Sequence, residues 1–130
     1  MSKKYKETPY TGEIDKSYSK PELISKYRKI DITCKETFEI FKKIYARVAK
    51  NLALDAMSLG GVYIAGGIAP KNKDIFDKEF VRIFEDNQRM VNILKEIPIY
   101  LILNYNVGLL GAGFAGTKFF NNMSDKNDGR

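Results

Sequence analysis

The sequence has no histidine, a single cysteine, and no apolar run approaching the length of a bilayer span. Without histidine, the usual zinc sites and the acid–base constellations built on imidazole have no material. Cys34 alone cannot close an internal disulfide. Apolar runs such as Ile97–Leu103 and Val107–Ala115 fall far short of the ~20 residues that cross a membrane. No basic n-region, apolar h-region and cleavage site open the chain, so a cytoplasmic location without membrane contact is expected. What is present is globular: 44% apolar and 29% charged residues, with 8 Phe and 8 Tyr, exclude collagen-like, disulfide-dense or wholly disordered chains. A length of 130 residues suits one core and hardly two.

The net charge of +6 invites a nucleic-acid reading that its distribution does not support. Residues 1–29 hold 8 basic and 4 acidic groups, residues 30–117 hold 11 and 10, and residues 118–130 hold 3 and 2. The excess therefore sits at the ends, whereas a nucleic-acid domain carries its Lys and Arg on one structured face. Tyr5, Tyr10 and Tyr18 lie among the N-terminal lysines without periodicity. A solvated leader is favoured over an RNA-binding arm, and no nucleic-acid partner is expected.

Three stretches are expected: a disordered basic leader (1–19), a folded unit (20–119) and a frayed tail (120–130). A short helix begins near Ser19, with Pro21 in its first turn. Thr33-Cys34-Lys35-Glu36 has a capping-box pattern and opens a run in which Cys34, Phe38, Phe41, Tyr45, Val48, Leu52 and Ala56 recur at helical spacing. One helix of roughly 25 residues, ~37 Å long, follows, with Lys35, Glu39, Lys42, Lys43, Arg47 and Lys50 on its polar side. After Leu59, Gly60-Gly61 breaks the pattern, and Val62-Tyr63-Ile64-Ala65 reads as a buried strand entering the loop Gly66-Gly67-Ile68-Ala69-Pro70. Helices are expected over 73–84, about 87–95 and 107 to about 119. The strand Ile99-Tyr100-Leu101-Ile102-Leu103, apolar on both faces, is expected to be central. The layout is α/β, and two buried-type strands with open edges suggest part of a larger sheet.

Two glycine clusters could carry chemistry. Gly111-Ala112-Gly113-Phe114-Ala115-Gly116 matches the dinucleotide string G-x-G-x-x-G. However, its strand ends too early and no acidic ribose ligand follows, so close helix packing is the better account. Gly66-Gly67 lies directly at a strand's carboxyl end, where ligands of open α/β sheets gather and where a missing Cβ lets backbone approach a ring or phosphate. A tight turn needing positive φ explains the pair equally well.

Cys34 with Phe38, Asn51-Leu52-Ala53-Leu54, the block Gly60–Pro70, Phe80 and Phe84, Arg89, Ile97-Pro98-Ile99 and Gly108-Leu109-Leu110-Gly111-Ala112 together resemble the carboxyl-terminal part of the bacterial-type glucokinase family. That family belongs to the actin, sugar-kinase and heat-shock ATPase superfamily, and the likeness spans about residues 20–116. It implies a partial ribonuclease-H-like (actin-type ATPase) lobe: a long helix, two central-type strands and covering helices. It also implies that Gly66 and Gly67 contact the adenosine of ATP, bound as Mg-ATP in the complete enzyme, with Ile68 and Pro70 shaping the loop. Asn87-Gln88 stands where the family tends to have Lys-Gly, and Lys50 stands in place of a glycine.

The Asp-Gly-Gly-Thr phosphate loop, the Asn-Asp sugar site with its general base, the further Glu and His ligands and the second phosphate loop of the family are not found in this sequence. Asp74, Asp77 and Glu79 read as solvated carboxylates and offer no replacement base. Catalytic, glucose-binding and metal residues are therefore expected to be none. The resemblance implies the C-terminal portion of an ATP-dependent glucokinase acting in glycolysis, inactive alone, whose partner is an N-terminal kinase lobe or a second copy. The alternative is a non-catalytic, kinase-derived interaction or oligomerisation module.

Overall fold

A computed structural model of the chain describes residues 8–127, with side chains as far as Phe120. Helix α1 (Pro9–Lys16) is held by a reciprocal cap, the Thr8 and Thr11 side chains each accepting from the other's backbone N–H, with Pro9 at the first helical position. It occupies part of the stretch expected to be an irregular leader. The sequence signal was weak because Thr11, rather than Glu or Gln, completes the cap.

Helix α2 (Lys20–Tyr27) starts with Pro21 in its first turn, as expected. Helix α3 (Ile32–Asp55) is capped by Asp31, whose carboxylate accepts from the Cys34 N–H at 2.8 Å, and not by Thr33. The Thr8 hydroxyl and then the Cys34 N–H hold the Asp31 carboxyl below its ordinary value. One buried acid thus fixes the start of α3 beside the start of α1.

Helix α3 stops before Gly60. The Ser58 N–H bonds the Ala53 carbonyl at 2.9 Å and the Met57 N–H bonds that of Leu54 at 3.2 Å, closing a Schellman turn with Met57 at φ 46°. Gly61 follows at φ +116°. A Cβ there would lie 2.7 Å from the Tyr100 ring and 3.1 Å from the Pro98 carbonyl, so only glycine fits the entry to the sheet.

Strands β1 (Val62–Ile64) and β2 (Ile99–Leu101) form a parallel pair in the register Val62 to Ile99, Tyr63 to Tyr100 and Ile64 to Leu101. Between them run α4 (Ile68–Lys71), a 3-10 turn (Lys73–Ile75), α5 (Lys78–Glu85) and α6 (Val91–Glu96). The helix expected over 73–84 is divided because Asp77 caps α5, its carboxylate accepting from the Phe80 N–H at 2.9 Å. Helix α7 (Val107–Asn127) continues through residues expected to fray.

The architecture is mixed α/β and helix-rich, with a two-stranded parallel sheet. Among the described residues, no helix is long and apolar enough to cross a membrane.

Ala46, Ala49 and Ala53 of α3 form the floor of the main core, which Phe80 and Phe84 of α5, Leu94 of α6, Ile64, Ala69 and Ile97 complete. Small residues on α3 thus accommodate large rings on α5. The expected inward face of α3 holds at Cys34 and Phe38 and then drifts: Val48 is 48% and Leu52 62% exposed, while the alanines are buried.

Lys42, assigned to the polar side, is buried too. Its ammonium donates to Glu79 at 2.7 Å and Asp77 at 2.9 Å and lies 3.7 Å from Glu39. A smaller core joins Ile14, Tyr27 and Cys34.

The sheet packs on the main core through Val62, Ile64, Ile99 and Leu101. Its other face carries Tyr63 and Tyr100, exposed and stacked at 4.9 Å, so it is uncovered among the described residues.

The Lys42 cluster generates a pH-dependent prediction. Partial burial alone would raise Asp77, but hydrogen bonds from Lys42 and the Phe80 N–H outweigh it and hold the group below its ordinary value. Glu79 is lowered first by its hydrogen bond from Lys42. Both carboxylates therefore add stability above about pH 4, and that contribution is lost as pH falls through their lowered folded values. Lys42→Met should reduce stability near neutral pH and flatten the acid-side decline, as read by urea denaturation between pH 3 and 7. An unchanged acid slope in the variant would contradict the assignment.

Candidate functional site

Parallel pairing brings the carboxyl ends of β1 and β2 side by side, so residues after Ile64 face residues after Leu101. A cleft of about 360 Å³ opens there, lined by Gly67, Ile68, Lys71 and Asn72 from the β1 side, Tyr105 from the β2 side, and Pro21, Glu22 and Ser25 of α2. That volume falls within the range of small-molecule sites.

Helix α2 is fastened as its wall by three side-chain links to one short segment. Glu22 accepts from the Lys71 ammonium at 2.8 Å, and the Ser25 hydroxyl donates to the Asn72 side-chain carbonyl at 2.6 Å. Arg28 donates to both Asp74 oxygens at 2.7 and 2.9 Å while its guanidinium lies over the Phe38 ring at 4.2 Å. Positions 22, 25 and 28 are one helical face, meeting 71, 72 and 74. Asn72 is buried and also donates to the Ile68 carbonyl at 3.1 Å.

The four residues singled out in the sequence are placed differently from one another. Gly66 has φ +104°, and a Cβ there would meet nothing within 4 Å. Gly67 caps α4 at φ −71°, and a Cβ there would come within 3.2 Å of the Tyr105 hydroxyl. The turn requirement therefore belongs to Gly66, and the close approach to Gly67. Gly67 and Ile68 line the cleft, whereas Gly66 and Pro70, the latter inside α4, are not among the lining residues.

Sequence reasoning missed Tyr105, Lys71, Asn72 and the α2 wall. The rule that parallel strands end together would have pointed to Tyr105, but nothing local pointed to α2.

Electrostatically the charged residues of the cleft are paired with each other. Lys71 is held above its ordinary value, first by the hydrogen bond to Glu22 and then by its charge. Glu22 is correspondingly lowered, first by its hydrogen bond from Lys71. Asp74, Asp77 and Glu79 are partly exposed, but each is ion-paired rather than simply solvated. Burial, then the Asp31 carboxylate, pushes the Cys34 thiol up to about 11, which removes thiolate nucleophilicity at that position. Among the described residues, no cluster of three or more Cys, Asp or Glu side chains could hold a metal ion. The cleft presents glycine backbone, the Ile68 side chain and the Tyr105 ring beside the Lys71–Glu22 ion pair.

The two departures from the expected sequence pattern face each other. Lys50 donates to the Asp86 carbonyl at 2.8 Å, next to Asn87, whose side chain accepts from the Arg89 and Met90 N–H groups at 3.0 Å.

A family model described as Glucokinase matches residues 2–118. A glucokinase of Nostoc punctiforme is 42% identical over 91 residues, covering 69% of this chain and 27% of the relative. One from Pectobacterium atrosepticum is 42% identical over 84 residues, covering 64% of this chain and 26% of its own length. One from Hahella chejuensis is 42% identical over 86 residues, covering 65% and 27%. The chain thus spans about a quarter of the length of these curated relatives. No solved structure matches it.

The unequal backbone demands at the two loop glycines are testable by thermal denaturation. Gly66→Ala places a side chain at φ +104° and should cost about 1–2 kcal/mol. Gly67→Ala, at φ −71°, meets no backbone strain and needs only a shift of a few tenths of an ångström by the hydroxyl of the exposed Tyr105, so it should cost less than about 0.5 kcal/mol. Equal losses would contradict the division of roles.

Proposed function

Because this chain belongs to the glucokinase family, we propose that it forms the nucleoside-binding side of an ATP-dependent glucokinase, which moves the γ-phosphoryl group of ATP to the 6-hydroxyl of glucose. The supporting observation is the cleft at the joined carboxyl ends of β1 and β2, which contains Gly67 of the expected adenosine loop. The lining is compatible with a nucleoside: Gly67 contributes backbone without a Cβ to the cleft beside Ile68 and Tyr105, and Gly66 precedes it in the turn without lining the cleft itself. In this reading Gly66 and Gly67 lie against the adenosine, Ile68 supplies an apolar contact, and Pro70 stiffens the single turn of α4 that presents them.

Mg-ATP, when bound, supplies the transferable phosphoryl group and the divalent charge that offsets negative charge in the transition state. This chain binds and orients the nucleoside end. The phosphate loops, the general base and the sugar ligands are assigned to another part of the kinase, so the chain by itself is proposed to be inactive. The unit from 20 to 119 would be part of a ribonuclease-H-like lobe whose wider sheet extends from the open edges of β1 and β2. The family match does not favour the reading as a non-catalytic module.

Equilibrium titration with ADP tests the loop assignment. The unaltered chain should bind ADP weakly, and Gly67→Val should abolish that binding while retaining the circular dichroism spectrum. Affinity indifferent to the substitution would remove the loop from the site. Adding a polypeptide that carries the family's phosphate loop and Asn-Asp sugar site should produce glucose-dependent ADP release, and none across a range of ratios would argue against the shared cleft.

A further inference from the structure

We infer that Tyr105 is a specificity-determining residue of the nucleoside cleft, stacking its ring on the base and favouring purine over pyrimidine nucleotides; this rests on the nucleoside reading above. Tyr105 is the one aromatic among the cleft's lining residues and lies outside the segments that carry the family resemblance. The residue is 57% exposed. Among the described residues it has no aromatic partner, whereas Tyr63 and Tyr100 on the nearby sheet are stacked on each other. Its hydroxyl makes a long contact, 3.4 Å, to the Gly67 carbonyl.

The Tyr105 ring borders the cleft and, among the described residues, has no aromatic partner of its own, so a base can stack on it without displacing another ring. The position follows from topology. Val62 to Ile64 and Ile99 to Leu101 run parallel, so the turn leaving β2 delivers Tyr105 beside the glycines leaving β1. The Tyr105 hydroxyl also lies where a Cβ on Gly67 would intrude, 3.2 Å away. Glycine at 67 and tyrosine at 105 are therefore one steric unit: the missing side chain makes room for the phenol that borders the cleft. Stacking on an aromatic accepts any base, but the larger purine surface gains more from it.

The test is titration of the full chain with ADP and UDP, following tyrosine ring signals by NMR and affinity by a fluorescent ADP analogue. Tyr105→Phe identifies the Tyr105 resonances by their disappearance. In the unaltered chain those resonances should move upfield with ADP, as ring-current shielding by a stacked purine requires. Tyr105→Ala should weaken ADP about tenfold and UDP less, narrowing the preference, and Tyr105→Phe should stay within about twofold. Unmoved Tyr105 signals and unchanged ADP affinity in Tyr105→Ala, with Gly67→Val still abolishing binding, overturn this inference and leave the nucleoside reading standing. An unaltered chain that binds no ADP at millimolar concentration overturns both. Should Tyr105→Ala fail to fold, the ring shifts of the unaltered chain and the affinity of Tyr105→Phe decide the question.

Discussion

Ala46, Ala49 and Ala53 leave a trough along α3, and the rings of Phe80 and Phe84 fill it. Interiors pack at crystal-like density, so a trough of methyl groups admits a close helix only if that helix supplies bulk, and α5 does. Docking α5 brings Asp77 and Glu79 to Lys42, which lies one turn before Ala46 on the same face. The amine on that face is tolerated because the two carboxylates that hydrogen-bond it arrive with the rings, adding to Glu39 of α3 itself. The same docking sets the crossover between β1 and β2, and hence the pairing of Val62 with Ile99.

The cleft depends on this arrangement at second hand. Strand ends bring Gly67 and Tyr105 together, but the wall comes from α2, fastened through Glu22, Ser25 and Arg28. The smaller core of Ile14, Tyr27 and Cys34 steadies that wall from behind, with Tyr27 donating to Glu13 at 2.9 Å and packing on Tyr10 at 4.7 Å. A segment whose sequence looks like a soluble lysine-rich leader thus contributes a helix to the support of the cleft.

Much of this was legible in the sequence, and the failures have physical causes. The long helix, both strands and the glycine loop could be read from periodicity and Gly punctuation. The inward face of α3 could not, because Val48 and Leu52 outrank alanine in any hydrophobic pattern, while packing against phenylalanine rewards the smaller residue. The start of α3 was misread because Thr33 and Glu36 imitate a capping box that the better-placed Asp31 pre-empts. The end was misread because Met57 takes the left-handed position that usually signals itself as glycine. Of the cleft's lining residues, Gly67 and Ile68 announced themselves. Tyr105, Lys71 and the α2 wall are neighbours only through tertiary contact, which no local rule encodes.

The parallel register also orders assembly in time. An antiparallel pair can close through a tight hairpin, but here the two strands meet only after the whole crossover has condensed, and loop-closure entropy makes such distant pairings late. The helices α3 and α5 can settle on each other before the strands are in register. Gly67 and Tyr105 become neighbours only once both strands are in place. Helical content alone is therefore a poor measure of whether the cleft is formed, since the cleft requires both strand ends to be in place.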